Sequence, residues 1–326
     1  MRIARLAGGG IALIALLLGL PATAEIYPTR QITLIAPWPP GGAIDALCRA
    51  LAPGLGDRLG KPIVVENRPG AGSVIGTAAG AKAEPDGYTL VMAGSGSLAI
   101  SATLYKKLPY DPARDFAPIA LIARIPFVLV VNPSLPVRSV EELVAYGKAN
   151  PGKLSYGSGG PGSPHHLYAE MLKSMTGLEM AHVPYKGSAP ALTDVVAGHI
   201  PLMFSDTVPS LPLIRDGKIR ALGVSSAARL PSAPDIPPIA EAGIPGFDAA
   251  GWGMIVAAAG TPNETVRRLN ADLITVLASS EVQQQIIRLG MVPASPAPPT
   301  GLQIYIDGEM ARWGKVVQQA GLAGTE

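Results

Sequence analysis

The chain has 326 residues, with 26 basic and 24 acidic side chains, four histidines and a single cysteine, Cys48. A formal net charge of +2 without a basic run excludes a basic nucleic-acid-binding protein, and one cysteine excludes a disulfide framework and a multi-thiolate metal site. The length suits a two-lobed unit or two ordinary domains, and the 38 glycines and 33 prolines predict many short elements separated by tight turns.

Residues 1–24 are predicted to be a secretory signal peptide. Arg2 and Arg5 precede an apolar stretch over 11–20, and small residues lead to a cleavage site after Ala24. The stretch is shorter than the ~20 residues of a transmembrane helix, which disfavours the alternative of a permanent anchor. Without these two arginines, basic and acidic residues balance. We therefore expect a periplasmic protein whose mature net charge is near zero.

Short β-branched runs then alternate with Gly/Ser/Pro loops and apolar helical segments. This order predicts an α/β fold with largely parallel sheets. Ligands of such sheets bind at the carboxyl ends of the strands, so the loops there are the candidate functional segments. Five sets are predicted, each given as strand, loop and helix: 31–36, 37–42 and 43–51; 63–66, 67–73 and 74–83; 88–93, 94–97 and 98–105; 153–156, 157–164 and 165–175; and 180–185, 186–188 and 189–197. A further strand over 200–204 leads into a loop over 205–207.

Two apolar extended segments, 125–131 and 252–259, are predicted to connect two lobes. The chain would then form lobe 1 from 25–124 plus 254–326, with lobe 2, 125–253, inserted into it, as in a closing clamp. Helices are predicted over 264–277, 280–289 and 301–320.

Local signals refine the helices. Pro53-Gly54 predicts a kink or break in the first helix, whose apolar face includes Cys48 as a core residue. Thr261 is predicted to cap a helix that begins at Pro262.

The loop 37–42 is the strongest candidate site, because it follows a strand, opens a helix and contains no cationic side chain. Free N–H groups at a helix N-terminus bind anions, and Gly41 and Gly42 let a ligand approach the backbone. Without a cation, the expected guest is a carboxylate. Trp38 is either a wall of the site or a core residue. Asp45 is expected to brace the helix start rather than to contact the ligand.

Other loops repeat this chemistry with hydroxyl groups. Residues 94–97 and 157–163 supply serines and bare N–H groups, and the 186–188 loop adds Ser188, a candidate N-cap. Asp206, at a strand end, either accepts a hydrogen bond from a ligand or binds the backbone of its own turn.

Competing chemistries fit less well. Gly157, Gly159 and Gly162 formally match a dinucleotide motif, but Pro161 interrupts it and export removes the cofactor supply. The adjacent His165 and His166 point apart on a helix, so we expect no metal site, although His165 remains a candidate hydrogen-bond donor. The chain lacks a G-x-S-x-G motif, which disfavours a hydrolase and leaves no catalytic residue to assign.

Several stretches together resemble the Bug/TctC family, the extracytoplasmic solute receptors of tripartite tricarboxylate transporters. They are 35–42 with Asp45, 62–72, 85–90, 108–111 with Asp115 and Phe116, 150–154, 182–187, 258–262, and the pair Glu309 and Trp313. The resemblance runs from Tyr27 to about Ala320. The chain departs from the family pattern at Trp38, where Phe is usual, at 71–73, where a fuller glycine run is usual, and at Gly160-Pro161.

The resemblance implies a type II periplasmic-binding-protein fold, with two α/β lobes joined by two crossing strands around a ligand cleft. It implies a small organic carboxylate as ligand, delivery to the membrane permease subunits of the transporter, and no enzymatic activity. The alternative is a ligand-sensing receptor with no dedicated permease. We expect a monomer without cofactor, metal or nucleic acid. The implied ligand-binding residues are Trp38, Gly41, Gly42, Ala43, Ser95 and Gly96 from one lobe, and Ser158, Gly159, Ser163, His165, Gly187 and Asp206 from the other.

Overall fold

The computed structural model describes residues 27–326, so the predicted signal peptide lies outside the described residues. The strands are β1 (Ile32–Ala36), β2 (Ile63–Asn67), β3 (Thr89–Gly94), β4 (Phe116–Ile125), β5 (Phe127–Val131), β6 (Leu154–Ser158), β7 (Met180–Pro184), β8 (Leu202–Asp206), β9 (Arg220–Val224), β10 (Gly251–Ala258) and β11 (Val292–Pro293).

The helices lie between these strands and after them. They are α1 (Ala43–Leu59), α2 (Val74–Ala81), α3 (Ser101–Leu104), α4 (Val140–Ala149), α5 (Pro164–Thr176), α6 (Ser188–Ala197), α7 (Thr207–Arg215), α8 (Asn263–Leu277), α9 (Ser280–Arg288) and α10 (Pro299–Gln319). A 3₁₀ turn at Ala71–Ser73 precedes α2, and a π-helical turn at Gly96–Ile100 leads into α3, where the sequence predicted one continuous helix over 98–105. Among the described helices, none is long and apolar enough to cross a membrane.

The strands form two sheets, in the orders β11-β4-β10-β3-β1-β2 and β7-β6-β8-β5-β9. In the first, β1 runs parallel to β2 and β3, whereas β10 runs antiparallel to β3 and β4. In the second, β6 runs parallel to β7 and β8, and β5 runs antiparallel to β8 and β9. The α/β prediction is confirmed, but the sheets are mixed rather than largely parallel.

The chain passes from the first sheet to the second at Pro126, between β4 and β5. It returns through the segment 225–250, between β9 and β10. The segment 252–259 was predicted to be a connection, but nearly all of it lies in β10, whose eight residues are all buried within the first sheet. A strand of apolar residues has the same sequence pattern whether it crosses between two lobes or lies buried within one sheet, so the pattern does not distinguish the two cases. The residue boundaries predicted for the two lobes stay a prediction.

Helix α1 continues through Pro53 to Leu59, so the chain does not break there, and the alternative of a kink at Pro53 stays a prediction. Leu51, Leu55 and Leu59 on either side of the proline are buried, and this packing offsets the hydrogen bond that Pro53 removes. Cys48 is a buried free thiol on the same face, as predicted, and its burial raises the pKa of the thiol to about 12.

Two predicted caps are wrong. Helix α8 begins at Asn263, and Pro262 is its N-cap; the Thr261 hydroxyl donates to the Ala258 carbonyl at 2.8 Å instead. Ser188 is the first residue of α6, whose N-cap is Gly187, with φ +110°. A threonine or serine beside a helix start has alternative backbone partners, and the tertiary turn decides among them.

Helix α10 packs against both halves of the molecule. Its Trp313 stacks on Tyr168 of α5, with ring centroids 5.4 Å apart. Its Glu309 is buried and accepts hydrogen bonds from the indole N–H groups of Trp313 at 3.2 Å and Trp252 at 2.8 Å. The C-terminal helix therefore connects α5, which flanks the second sheet, to the first residues of β10.

Candidate functional site

The N-terminus of α1 is the centre of the candidate site. Gly42 is its N-cap, and no side chain caps the helix, so the N–H groups of its first turn face outward without a side-chain acceptor. Gly41, with φ +81°, makes the turn that a side chain would strain. Gly41, Gly42 and Ala43 are all exposed. The helix start therefore has the exposed, uncapped backbone on which the prediction of an anion site is based, and the binding of an anion there stays a prediction.

Asp45 braces this loop from beneath, as predicted. Its buried carboxylate accepts hydrogen bonds from the Gly41 N–H at 2.9 Å, from Arg49 Nε at 3.1 Å and from Asn67 Nδ2 at 2.9 Å. The hydrogen bond from Arg49 lowers the pKa of Asp45 to about 2; burial opposes this shift, and the bonds from Gly41 and Asn67 add to it. The Gly41 N–H donates to Asp45 and the Gly42 N–H donates to the Pro39 carbonyl at 3.4 Å, so the backbone donors left for a ligand begin at Ala43, in the first turn of α1.

Trp38 is half-buried, between the two predicted alternatives of site wall and core residue. Its carbonyl accepts from Asn67 Nδ2 at 3.1 Å, which ties the loop to the end of β2. The tip of its ring lies over Gly94, where an added Cβ would be 3.7 Å from Trp38 Cη2. The indole thus packs on the end of β3 and keeps part of its face exposed.

Ser95 and Gly96 follow β3 directly, next to the end of β1. Ser95 is buried, and a Cβ added to Gly251 would lie 3.1 Å from its hydroxyl oxygen, so this serine packs on the start of β10. Gly96 is half-buried, with no atom within 4 Å of an added Cβ.

Four predicted residues of the second lobe come together. A Cβ on Gly159 would lie 3.2 Å from His165 Nδ1 and 3.5 Å from the Gly187 carbonyl carbon. His165 Nε2 lies 3.1 Å from Asp206 Oδ2, and the His165 ring packs on Phe127, with centroids 4.7 Å apart. His165 Nδ1 is buried and has no hydrogen-bond partner among the described residues. His165 Nδ1 is therefore an atom of this cluster that could form a hydrogen bond with a ligand.

Asp206 is held by its neighbours and remains partly open. Burial raises its pKa, but the hydrogen bond from His165, the charge of His165 and a hydrogen bond from Ser188 outweigh burial, so the net pKa is lowered. Its side chain is 41% exposed, so one edge of the carboxylate still faces solvent.

The hydroxyls of Ser158 and Ser163 are engaged inside their own loop. Ser158 Oγ accepts from the Gly160 N–H at 3.0 Å and lies 2.6 Å from His182 Nε2. Ser163 Oγ donates to the Gly160 carbonyl at 2.7 Å and caps α5 by accepting from the His166 N–H. Both side chains fix the loop shape, and their contact with a ligand stays a prediction.

Two stacked histidines support this loop. The rings of His166 and His182 lie 3.8 Å apart, and His166 Nδ1 accepts from the Gly162 N–H at 3.2 Å. Burial lowers the pKa of His166 to about 4, helped by repulsion from His182, and burial also lowers the pKa of His182. The pair is therefore neutral at pH 7.

A cavity of about 390 Å³ joins the two halves of the site. Gly41, Gly42 and Ala43 line one side of it, and Asp206 lines another. Apolar side chains lie between them: Ile125, Pro126, Phe127, Leu289 and Met291. A larger cavity, of about 700 Å³, lies along α1 and β2, away from these strand ends. The smaller cavity is the candidate site, because predicted residues of both lobes line it: Gly41, Gly42 and Ala43 from one and Asp206 from the other. The other eight predicted residues are not among its lining residues.

Arg288 also lines this cavity, and sequence reasoning missed it. The sequence signals for ligand binding lie in loops at the ends of strands, whereas Arg288 is the last residue of α9. Nothing in the local sequence marks this arginine. Only the tertiary packing of α9 against the cleft reveals it.

Comparison with known proteins identifies the family and the fold. Residues 47–322 match the family model described as tripartite tricarboxylate transporter family receptor, TctC. Rpa4515 of R. palustris, solved with adipate, is 40% identical, with a TM-score of 0.77 over 91% of this chain and 99% of that one.

Two further solved structures are similar over a comparable length. The periplasmic binding protein BugD is 34% identical, with a TM-score of 0.74 over 91% of this chain and 99% of that one. MatC (Rpa3494) from Rhodopseudomonas palustris, solved with bound malate, is 32% identical, with a TM-score of 0.73 over 89% of this chain and 100% of that one.

Proposed function

From the membership of this chain in the TctC family of tripartite tricarboxylate transporter receptors, we propose that it captures a small dicarboxylate between its two sheets. The members of this family are periplasmic solute-binding proteins rather than enzymes. The cavity that joins the uncapped start of α1 to Asp206 carries the proposal. It has backbone N–H donors at one end and an apolar middle.

The chemistry of the cavity supports a carboxylate as guest. The N–H groups at the start of a helix of 17 residues favour negative charge, and the exposed Gly42 leaves no side chain in the way. Adipate and malate, the ligands of Rpa4515 and MatC, are both dicarboxylates. The walls formed by Ile125, Phe127 and Met291 suit a short carbon chain between two polar ends.

Closure of the lobes is the proposed mechanism of capture. The ligand carboxylate would bind the start of α1 and the loops around Gly159, Gly187 and Asp206 at the same time, and so stabilise the closed form. The permease subunits of the transporter would then receive the ligand from that form. Export by the signal peptide over 1–24, with cleavage after Ala24, and a monomeric state belong to the same proposal.

The test is a ligand panel on the purified protein beginning at Glu25. Native mass spectrometry identifies what co-purifies, and isothermal titration calorimetry then compares mono-, di- and tricarboxylates. We expect saturable binding of at least one dicarboxylate, together with a smaller radius of gyration by small-angle X-ray scattering. Absence of binding across the panel contradicts the proposal, and tight binding at an unchanged radius contradicts the closing clamp.

A further inference from the structure

We propose that Arg288 binds the second carboxylate of the ligand and thereby selects dicarboxylates over monocarboxylates. This inference rests on the proposed function, because it takes the first carboxylate to lie at the start of α1. It adds a specificity-determining residue, and it assigns the two ends of the ligand to different lining elements of the cavity, the start of α1 and the end of α9.

The charges that line the cavity are the first argument. Of its lining residues, only Asp206 and Arg288 carry charged side chains. Asp206 is occupied by His165, at 3.1 Å, and forms no ion pair with Arg288. Arg288 is therefore the cationic side chain open to an anion at this site.

The second observation is that the Arg288 guanidinium is available to bind a ligand. Neighbouring arginines are committed: Arg124 binds Asp248 at 2.8 Å, and Arg312 binds Glu309 at 2.9 Å. Arg288 is exposed and has no ion pair in the part of the chain that the structure describes. Its guanidinium is free to turn toward the cavity without breaking an existing pair.

The backbone next to Arg288 packs against the start of α7, and this contact is the third observation in favour of the proposal. Gly290, with φ +72°, packs so closely on α7 that an added Cβ would lie 3.0 Å from Thr207 Cβ and 3.1 Å from Val208 Cγ2. The end of α9 thus touches the segment that follows Asp206. This contact holds the backbone next to Arg288 at the cavity, while the side chain itself is exposed.

The free-energy cost of removing water from the second carboxylate requires a positively charged partner for it. When the lobes close, a carboxylate that loses water without an opposing charge is strongly disfavoured. The planar fork of an arginine matches a carboxylate with two parallel hydrogen bonds. The methylene chain of the ligand would lie along Ile125, Phe127 and Met291, between Arg288 and the start of α1.

The experiment compares two pairs of ligands that differ by one carboxylate: adipate with hexanoate, and succinate with butyrate. Calorimetry is carried out on the wild type, Arg288→Gln and Arg288→Lys. We expect Arg288→Gln to weaken dicarboxylate binding by about 30-fold, the size of a lost ion pair, and to change monocarboxylate binding less than about twofold. Arg288→Lys should recover part of the loss, because the charge remains without the fork.

Arg267→Gln is the matched control, since Arg267 is exposed on α8 and forms no ion pair among the described residues. It should bind every ligand as the wild type does. Equal losses for both members of a ligand pair, or unchanged dicarboxylate binding in Arg288→Gln, overturn the inference. If the wild type binds no carboxylate at all, the proposed function fails and this inference fails with it. If the wild type binds without discriminating between the paired ligands, only the inference fails.

Discussion

The backbone N–H of Gly41 donates a hydrogen bond of 2.9 Å to the carboxylate of Asp45, four residues further along the chain. The proposed site for an anionic ligand thus lies next to an anionic side chain. Arg49 and Asn67 compensate the Asp45 charge, so the carboxylate shapes the loop without repelling the guest. The loop is preorganised before any ligand arrives.

Removal of this brace should weaken both the fold and ligand binding. We expect Asp45→Ala to lower the free energy of unfolding by about 2 kcal/mol, because it removes three hydrogen bonds to a buried carboxylate. Asp45→Asn keeps one acceptor oxygen and should lose less. Urea denaturation with and without adipate measures both effects. Equal stability of Asp45→Ala and the wild type would show that the loop holds its shape without Asp45.

Gly42 provides a steric test of the ligand's position. Its φ of −77° accepts any residue, and an added Cβ would lie 3.5 Å from the Pro39 carbonyl, an ordinary contact. Gly42→Val should therefore fold normally and weaken carboxylate binding by more than about tenfold, because its methyl groups cover the first-turn N–H groups. Gly41→Val is a poorer test, since φ +81° strains any side chain there.

The matched control for Gly42→Val is Gly308→Val, on the exposed side of α10, where an added Cβ meets no atom within 4 Å. It should bind as the wild type does. Wild-type affinity in Gly42→Val would move the ligand away from the start of α1.

Trp38 should report ligand binding by fluorescence. Of the three tryptophans, Trp252 and Trp313 are fully buried, whereas Trp38 is half-buried in the loop that leads to Gly41 and Gly42. We expect adipate to change the emission of the wild type, and Trp38→Phe to abolish that change while it retains binding by calorimetry. Phenylalanine keeps most of the apolar wall. A ligand-dependent signal that survives in Trp38→Phe would place the environmental change at one of the buried indoles.

The stacked histidines should make stability depend on pH. The pKa of His166 is lowered to about 4 in the fold, from an ordinary value near 6.5, so the unfolded chain takes up a proton first as the pH falls. The free energy of unfolding should therefore decrease between about pH 6.5 and 4, by at most about 1.4 kcal/mol per pH unit for one proton. Thermal unfolding across this range measures the slope.

His166→Gln should flatten that slope, leaving the part contributed by His182, whose pKa is also lowered. Gly308→Val is the control, because it changes an exposed position of α10 without removing an ionisable side chain, and it should leave the slope unchanged. An identical slope in His166→Gln and the wild type would assign the pH dependence to other groups.

Glu309 should be essential to the junction between α10 and β10. Glu309→Ala leaves the indole N–H groups of Trp252 and Trp313 buried without an acceptor, and we expect it to cost about 3 kcal/mol of unfolding free energy. Glu309→Gln keeps an acceptor and should cost less. Chemical denaturation followed by near-ultraviolet circular dichroism measures the loss, and a cost within 0.5 kcal/mol, the range of an ordinary surface substitution, would contradict it.

Periodicity and loop chemistry predicted the architecture well, because each signal is local. A β-branched run followed by glycines and an apolar helix places Gly41 and Gly42 at a helix start wherever the helix finally packs. The same reasoning identified Asp45 as a brace, since it lies one turn into that helix. It failed at Thr261, where the hydroxyl donates to the nearby Ala258 carbonyl, and of the two alternatives at Pro53 the break is wrong, because burial of α1 outweighs the helix-breaking tendency of proline.

The sequence by itself determined an α/β chain whose glycine-rich loops gather at strand ends, since backbone conformational preferences and apolar periodicity act over a few residues. Only the tertiary structure decided that β10 lies inside the first sheet, that the sheets are mixed, and that Arg288 stands in the same cavity as Gly41. These relationships join residues far apart in the chain. They depend on how whole elements pack, and no local pattern records that packing.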